Sequence, residues 1–284
     1  MKLIKNGIIL TAETEFEGDI LVDGEVIRAV GRGLDGLADD VIDASGKYIF
    51  PGGVDEHTHF GSFGGRLFET TEAAAVGGTT TVVDFAPQDK GDSLGAAIEK
   101  HAARAAGVSC VDFGFHSMVM DMQADTADQL KELPEHGVSC VKMFMAYKGT
   151  PFYMEDASIL KVMNESRRHG ITMMVHAENP DMISFYTERL KAEGRLEPIS
   201  HAFSRPPVTE EEAVRHAIVM ARVEEAPLFI VHVSTRGAME AIRDAYAGGQ
   251  SVYGETCPHF LVLDNSFLAL PDFEGATYVC PPPP

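Results

Sequence analysis

The chain has 284 residues, of which 45% are hydrophobic, and a formal net charge of −20. This length allows one large domain or a domain with a smaller neighbour, and the composition is typical of a globular α/β protein. Because phosphate binding relies on clustered basic residues, the acidic balance argues against nucleic acid and anionic membranes as partners.

The N-terminus and the cysteines indicate a cytoplasmic protein. The apolar run near the N-terminus is confined to residues 8–10, which is too short for a secretory signal, and no segment approaches the ~20 apolar residues of a membrane span. The four cysteines lie far apart, in or beside apolar stretches, and we expect them to be buried and reduced (Cys110, Cys140, Cys257 and Cys280).

The first 50 residues have the pattern of short strands joined by turns. Their apolar stretches show no helical period, and Asp23-Gly24 is a typical hairpin turn. After Pro51 the pattern changes to apolar strands that alternate with amphipathic helices, which predicts a parallel sheet buried on both faces. We predict strands at 53–59, 79–85, 110–119, 138–145, 171–177, 227–233 and 251–256.

These strands predict a (β/α)₈ barrel that is one unit short. Most steps from one strand to the next fit one strand and one helix, whereas the step from His176 to His232 leaves room for an additional helical excursion. The chain ends in YVCPPPP without an eighth strand, so we expect residues 51–284 to be a barrel domain that is truncated before strand eight.

Five potential metal ligands lie on or at the ends of four of these strands (His57, His59, Lys142, His176 and His232). The spacing of His57 and His59 places both imidazoles on one face of a strand, although this pair alone is a weak indication of a metal. Either His176 or His232 alone fits a buried core histidine. Their shared position at strand ends, where barrel enzymes hold catalytic groups, favours ligands.

Lys142 lies in the apolar stretch VSCVKMFM, where a charged amine is costly to bury. Burial lowers the pKa of a lysine, and a neutral amine can react with carbon dioxide, losing a proton and forming a carbamate whose two oxygens can bridge two metals. A structural role, or a surface lysine on a misplaced strand, is the alternative.

Tyr147 is placed to hydrogen-bond a substrate carbonyl or to pack in its loop. His116 fits a core hydrogen bond better than the mouth of the barrel, and Asp84, Glu255 and His259 are ambiguous.

At this point the chain resembles the dihydropyrimidinase/hydantoinase family of cyclic amidohydrolases. The matching motifs run in family order and cover essentially the whole chain: FPGGVDEHTHF at 50–60, AAAVGGTTTVVDF at 73–85, FGFH at 113–116, VKMFMAYKG at 141–149, VHAEN at 175–179, SRPP at 204–207, VHVS at 231–234 and GETCPHF at 254–260. The resemblance implies an amidohydrolase barrel flanked by a β-sandwich, with residues 1–50 as the N-terminal part of that sandwich.

The resemblance also implies roles for the site residues. His57 and His59 would bind the more buried of two divalent metal ions, expected to be Zn²⁺, and His176 and His232 the second. N6-carboxylysine at Lys142 would bridge them, and a further aspartate ligand would lie beyond residue 284. Tyr147 would steady the substrate carbonyl. The loop after the first barrel strand, which contains Phe63 as a candidate substrate contact, is shorter than in the family, and Pro281 replaces a serine whose backbone contacts the substrate.

The sequence therefore predicts hydrolytic ring opening of hydantoins or dihydropyrimidines by a metal-bridging hydroxide. Another cyclic amidohydrolase, such as an allantoinase, is the nearest alternative, and a non-enzymatic homologue or a catalytically inert fragment is the third. The expected partner is a small cyclic amide, and the family implies a homo-oligomer, either a tetramer or a dimer.

Overall fold

A computed structural model describes residues 1–61 and 68–284 of the chain. The chain divides into two compact units. The first comprises Met1–Val54 and Ala74–Thr81, and the second comprises Asp55–Ala73 and Val82–Pro284. The assignment of residues 1–50 to a β-sandwich and of 51–284 to a truncated barrel domain stays a prediction.

The first unit contains a five-stranded sheet, which confirms the all-β pattern of the first 50 residues. Strand β1 lies between β2, which it pairs with in antiparallel fashion, and β4, which runs parallel to it. The turn between β2 and β3 consists of Gly24 and Glu25, one residue later than the predicted Asp23-Gly24, and Gly24 has a φ of 60° that a glycine adopts without strain. The strands are β1 (Lys2–Leu10), β2 (Glu15–Asp23), β3 (Val26–Gly31), β4 (Asp40–Asp43) and β5 (Tyr48–Ile49).

The second sheet has seven strands in the order of the chain, from β6 at one edge to β12 at the other. Neighbouring strands from β8 to β12 pair in parallel, as the near-continuous apolar stretches predict. Each predicted strand is present, and most are shorter than predicted: β6 (Gly53–Thr58), β7 (Thr79–Pro87), β8 (Asp112–Met118), β9 (Cys140–Phe144), β10 (Thr172–His176), β11 (Leu228–Ile230) and β12 (Val252–Gly254).

This sheet is curled, so that residues at its two ends meet. The Nδ1 atom of His57, on β6, contacts the Oε1 atom of Glu255, which directly follows β12. The contact joins positions 198 residues apart in the chain. A curled parallel sheet with its connecting helices is the arrangement of an amidohydrolase-type fold.

Helices connect the parallel strands, and three of them lie between β10 and β11, where the long step predicts an excursion. Ser93 caps α2 by accepting a hydrogen bond from the backbone N–H of Ala96. No helix in the described residues is long and apolar enough to cross a membrane. The α-helices are α1 (Thr71–Gly77), α2 (Leu94–Ala105), α3 (Thr126–Gln129), α4 (Asp156–His169), α5 (Pro180–Ala192), α6 (Ser200–Ser204), α7 (Val208–Glu224) and α8 (Arg236–Ala247).

The cysteines differ in part from the prediction. All four are free, as expected, but Cys110 is exposed and the other three are only partly buried. Cys110 lies in the turn before β8 begins at Asp112, outside the apolar strand to which the sequence assigns it. Cys257 and Cys280 border a cavity instead of filling the core.

Candidate metal centre and substrate cavity

The five predicted metal ligands line one cavity of about 550 Å³ at the carboxyl ends of the strands of the second unit. His57 is the penultimate residue of β6, and His59 follows the end of that strand. Lys142 lies in the middle of β9, His176 ends β10, and His232 lies two residues beyond the end of β11. Parallel strands place these side chains together because their carboxyl ends meet at one edge of the sheet.

The four imidazole rings form a continuous group. The centroid of the His57 ring lies 5.3 Å from that of His59 and 5.3 Å from that of His232, and the rings of His176 and His232 are 4.5 Å apart. Burial, reinforced by the neighbouring Lys142, lowers the pKa of His57, His59 and His232. These histidines are therefore neutral near pH 7, which is the form that binds metals.

Lys142 is the most unusual residue of the cavity, because it is only 1% exposed and no carboxylate of the described residues is in hydrogen-bond contact with its amine. Its Nζ atom lies 3.3 Å from Nε2 of His57 and 4.1 Å above the ring of Phe85. Burial lowers the pKa of Lys142 to about 7, against a usual value of 10.5. A large fraction of this amine is therefore neutral and nucleophilic at physiological pH.

Tyr147 also lines the cavity, and the ring centroids of Tyr147 and His176 are 5.0 Å apart. Burial raises the pKa of the Tyr147 phenol well above 10, so that it remains a hydrogen-bond donor at every physiological pH. Its φ of 65° lies in the left-handed region, and His232 also has a positive φ, of 43°. Non-glycine residues are held in this region only where the surrounding structure fixes them, and such positions cluster at functional sites.

Of the other residues considered in the sequence, one borders the cavity and two are buried and hydrogen-bonded. His259 borders the cavity, with its Nε2 atom 3.8 Å from the sulfur of Cys280. His116 is buried, and its Nε2 atom lies 3.0 Å from the carbonyl oxygen of Glu56, in keeping with a core hydrogen bond. Asp84 is also buried and accepts hydrogen bonds from the backbone N–H of Gly61 and from His101. Phe63 lies outside the described residues.

Two carboxylates contact the metal-ligand candidates: Glu255, which the sequence leaves ambiguous, and Glu178, which is absent from the predicted residues. Glu255 accepts a hydrogen bond from Nδ1 of His57 and from the backbone N–H of His232, which links the first and last strands. Glu178 accepts from Nε2 of His176 at 2.7 Å. The spacing of Glu178, two residues after His176, is the only indication in the sequence. An acidic residue so close to a buried histidine is typical of the partners that orient metal-binding imidazoles.

The chemistry of this donor set fits a divalent metal. The Nδ1 atom of His232 is buried without a hydrogen-bond partner in the described part of the chain, and a buried polar atom of this kind calls for a ligand. Within residues 1–61 and 68–284, no group of three or more histidine, cysteine, aspartate and glutamate side chains is already arranged around one ion. Lys142 lies outside those four residue types, and the two-ion arrangement implied by the resemblance uses only two histidines for each ion.

The sequence is similar to those of known D-hydantoinases. No protein-family model matches the chain. The D-hydantoinase of Geobacillus stearothermophilus is 44% identical over 289 residues, which cover 99% of this chain and 61% of that protein. The D-hydantoinase of Ralstonia pickettii is 42% identical and is covered to 62%.

Solved structures give the same result. The dihydropyrimidinase of Brevibacillus agri NCHU1002 superimposes with a TM-score of 0.93 at 42% identity, covering 99% of this chain and 62% of that one. A D-hydantoinase structure gives a TM-score of 0.94 at 41% identity. The resemblance to the dihydropyrimidinase/hydantoinase family is therefore confirmed, and the chain is a homologue of the D-hydantoinases along nearly all of its length. It spans about three fifths of the length of these relatives.

Proposed function

We propose that the protein containing this chain is a cyclic amide hydrolase that opens the rings of hydantoins and dihydropyrimidines. The observation that supports this most directly is the buried Lys142, whose pKa is lowered to about 7, on the wall of a substrate-sized cavity that four histidines also line. The identity of 41–44% to four D-hydantoinases agrees with this proposal. The relatives described above favour neither an allantoinase nor a non-enzymatic homologue.

The same donor set supports a site for two divalent metal ions, with zinc as the proposed metal. His57 and His59 would hold one ion, His176 and His232 the other, and Lys142, as N6-carboxylysine, would bridge them. Imidazole and carboxylate donors suit zinc, and the neutral amine of Lys142 is the form that reacts with carbon dioxide. When bound, such metals lower the pKa of water and polarise a carbonyl oxygen.

The residues of the chain supply orientation and charge stabilisation in this proposal. The Tyr147 phenol stays protonated and would donate a hydrogen bond to the oxygen that becomes negative when the ring carbonyl is attacked. Phe144 and Phe152 pack near Tyr147 and give the cavity an apolar wall, which displaces water from the amide. Phe63 remains a proposed substrate contact in the loop after β6.

The domain organisation, the substrate class, the oligomeric state and the location are proposed from the similarity to the hydantoinases. Residues 1–50 would be the N-terminal part of a β-sandwich, and residues 51–284 a (β/α)₈ barrel whose eighth strand lies beyond this chain. The substrate would be a small cyclic amide. A homo-oligomer and a cytoplasmic location are proposed on the resemblance and on the acidic, cysteine-poor composition.

A substrate panel tests this function. The full-length, zinc-loaded protein is incubated with hydantoin, dihydrouracil, allantoin and an open-chain N-acetyl amino acid, and ring opening is followed by the loss of ultraviolet absorbance and by mass spectrometry. We expect turnover of hydantoin or dihydrouracil. Turnover of allantoin alone supports the allantoinase alternative, and turnover of none of the four contradicts the proposal.

A further inference from the structure

A chain of buried polar contacts runs behind the cavity wall from His176 to the backbone of Cys280. It begins with Nε2 of His176, which lies 2.7 Å from Oε2 of Glu178. The other carboxylate oxygen, Oε1, lies 3.4 Å from Nε of Arg205. Glu178 therefore contacts a metal-ligand candidate on one side and a guanidinium on the other.

The chain of contacts continues on the other side of Arg205. Its Nη1 atom donates to Nδ1 of His201 at 3.2 Å, and Nε2 of His201 donates to the carbonyl oxygen of Cys280 at 2.9 Å. A guanidinium can only donate and a carbonyl oxygen can only accept, so the proton of neutral His201 is on Nε2. The contacts thus join a strand end of the metal centre to Cys280, which borders the cavity beside Pro281.

Stability alone does not account for this arrangement. The side chains of Glu178 and Arg205 are 2% and 15% exposed, and a buried ion pair is often no more stabilising than apolar side chains of the same size. Oε1 of Glu178 and Nε of Arg205 also lack any contact with full hydrogen-bond geometry in the described residues. The Glu178–Arg205 pair is costly to bury and imperfectly hydrogen-bonded. Its position between His176 and His201 therefore explains it better than a contribution to stability does.

We propose that Glu178, Arg205 and His201 are positioning residues that orient His176 for metal binding and fix the Cys280–Pro281 wall against the substrate. Glu178 holds the proton of His176 on Nε2, so that the lone pair of Nδ1 is directed to the metal. Arg205 keeps Glu178 in place, and His201 holds the carbonyl of Cys280. The inference rests on the proposed function, and it gives the SRPP motif at 204–207 a role in the site.

Three variants of the full-length protein test separately the effect of these contacts on metal binding and on substrate binding. Zinc affinity is measured on metal-stripped protein by competition with a chelator, and KM is measured with hydantoin. Loss of a partner that orients a ligand typically weakens metal binding 10- to 100-fold, so we expect Arg205→Gln to weaken zinc binding by about that factor and to raise KM. His201→Phe should raise KM while leaving zinc affinity within about twofold of the parent.

Arg205→Lys keeps a positive charge beside Glu178 but cannot form the two-sided contact of a guanidinium. We therefore expect zinc affinity close to that of the parent together with a raised KM. Arg195→Gln serves as the matched control, because Arg195 is half-exposed, contacts Glu193 and the ring of Phe203, and lies outside the chain of contacts. This control should leave both quantities unchanged.

A structural role predicts a different result. If the ion pair only stabilises the fold, Arg205→Gln lowers the unfolding midpoint while the folded protein binds zinc as the parent does, and the proposal is overturned. An unchanged KM in His201→Phe overturns the substrate-wall half. Should Arg205→Gln not fold, Arg205→Lys and His201→Phe still decide the matter. Because zinc affinity is measured without substrate, that arm gives an answer even for a protein that opens no cyclic amide.

Discussion

Lys142→Met should stabilise the metal-free protein, because burying the lysine requires either a buried charge or the loss of a proton, and both oppose folding at pH 7. Burial lowers its pKa from 10.5 to about 7. At 1.36 kcal/mol per pKa unit, this difference corresponds to about 5 kcal/mol, of which about 4 kcal/mol opposes folding at pH 7. Methionine has a similar volume and removes this penalty, but it also loses the contact with the Phe85 ring, worth about 0.5–2 kcal/mol. We expect a net gain of about 2–4 kcal/mol.

The sign of the pH dependence distinguishes this explanation from a simple packing effect. The unfolded lysine keeps its proton up to pH 10.5 whereas the folded one loses it near pH 7, so the stability of the parent rises with pH between these values. The advantage of Lys142→Met should therefore shrink to about 1 kcal/mol or less at pH 9.5. Urea unfolding of full-length, metal-stripped protein at pH 7 and pH 9.5 measures it.

Lys148→Met is the control, because Lys148 is half-exposed and pairs with Asp181 on the surface. Its effect should stay within about 0.5 kcal/mol at both pH values. A Lys142→Met protein that is less stable than the parent by the same amount at both pH values would show that Lys142 is a stabilising part of the core, and the reasoning would be wrong.

Two other changes test residues of the site, and a third tests the buried carboxylate of Glu210 in α7. Lys142→Ala should lose most of both bound metals by elemental analysis, and added short carboxylic acids should restore part of them; two metals retained per chain contradict the bridging role. Tyr147→Phe should lower kcat by roughly 100-fold with normal metal content, and an unchanged kcat returns Tyr147 to a packing role. Glu210→Ala should destabilise the protein by about 2–4 kcal/mol in urea unfolding, because buried Glu210 accepts from the backbone N–H groups of Ser234 and Thr235, which would lose their partner. Glu211→Ala, at the neighbouring, partly exposed position that pairs with Arg215 on the surface, should cost less than about 1 kcal/mol, and equal losses in both variants contradict this account.

The sequence predicts this fold well where the hydrophobic pattern is strong. All seven predicted strands of the second sheet are present, and the predicted hairpin forms with its turn one residue later, at Gly24-Glu25, because apolar runs and turn residues act locally. The predicted burial of the cysteines is wrong, although all four are free as expected: β8 begins two residues later than predicted, which leaves Cys110 exposed before the strand. Strand ends are the least certain part of any such pattern.

The candidate site was predictable only as far as strand position determines it. His57, His59, Lys142, His176 and His232 were placed by the rule that strand ends meet, and they do line one cavity. Their roles as ligands stay predictions. Glu255 and Arg205 depend on how the sheet curls and on how the helices after β10 pack, which residue spacing does not encode.

The His57–Glu255 contact has a consequence for the order in which the protein assembles. It joins residues 198 positions apart, and Lys142 lies 85 positions from His57. Contacts of such long range form late in folding, because the loops between them must close first. The five candidate ligands are therefore brought together on one cavity wall only late in folding. The cavity, which Cys257 and His259 also border, is therefore complete only after β12 has paired with β11.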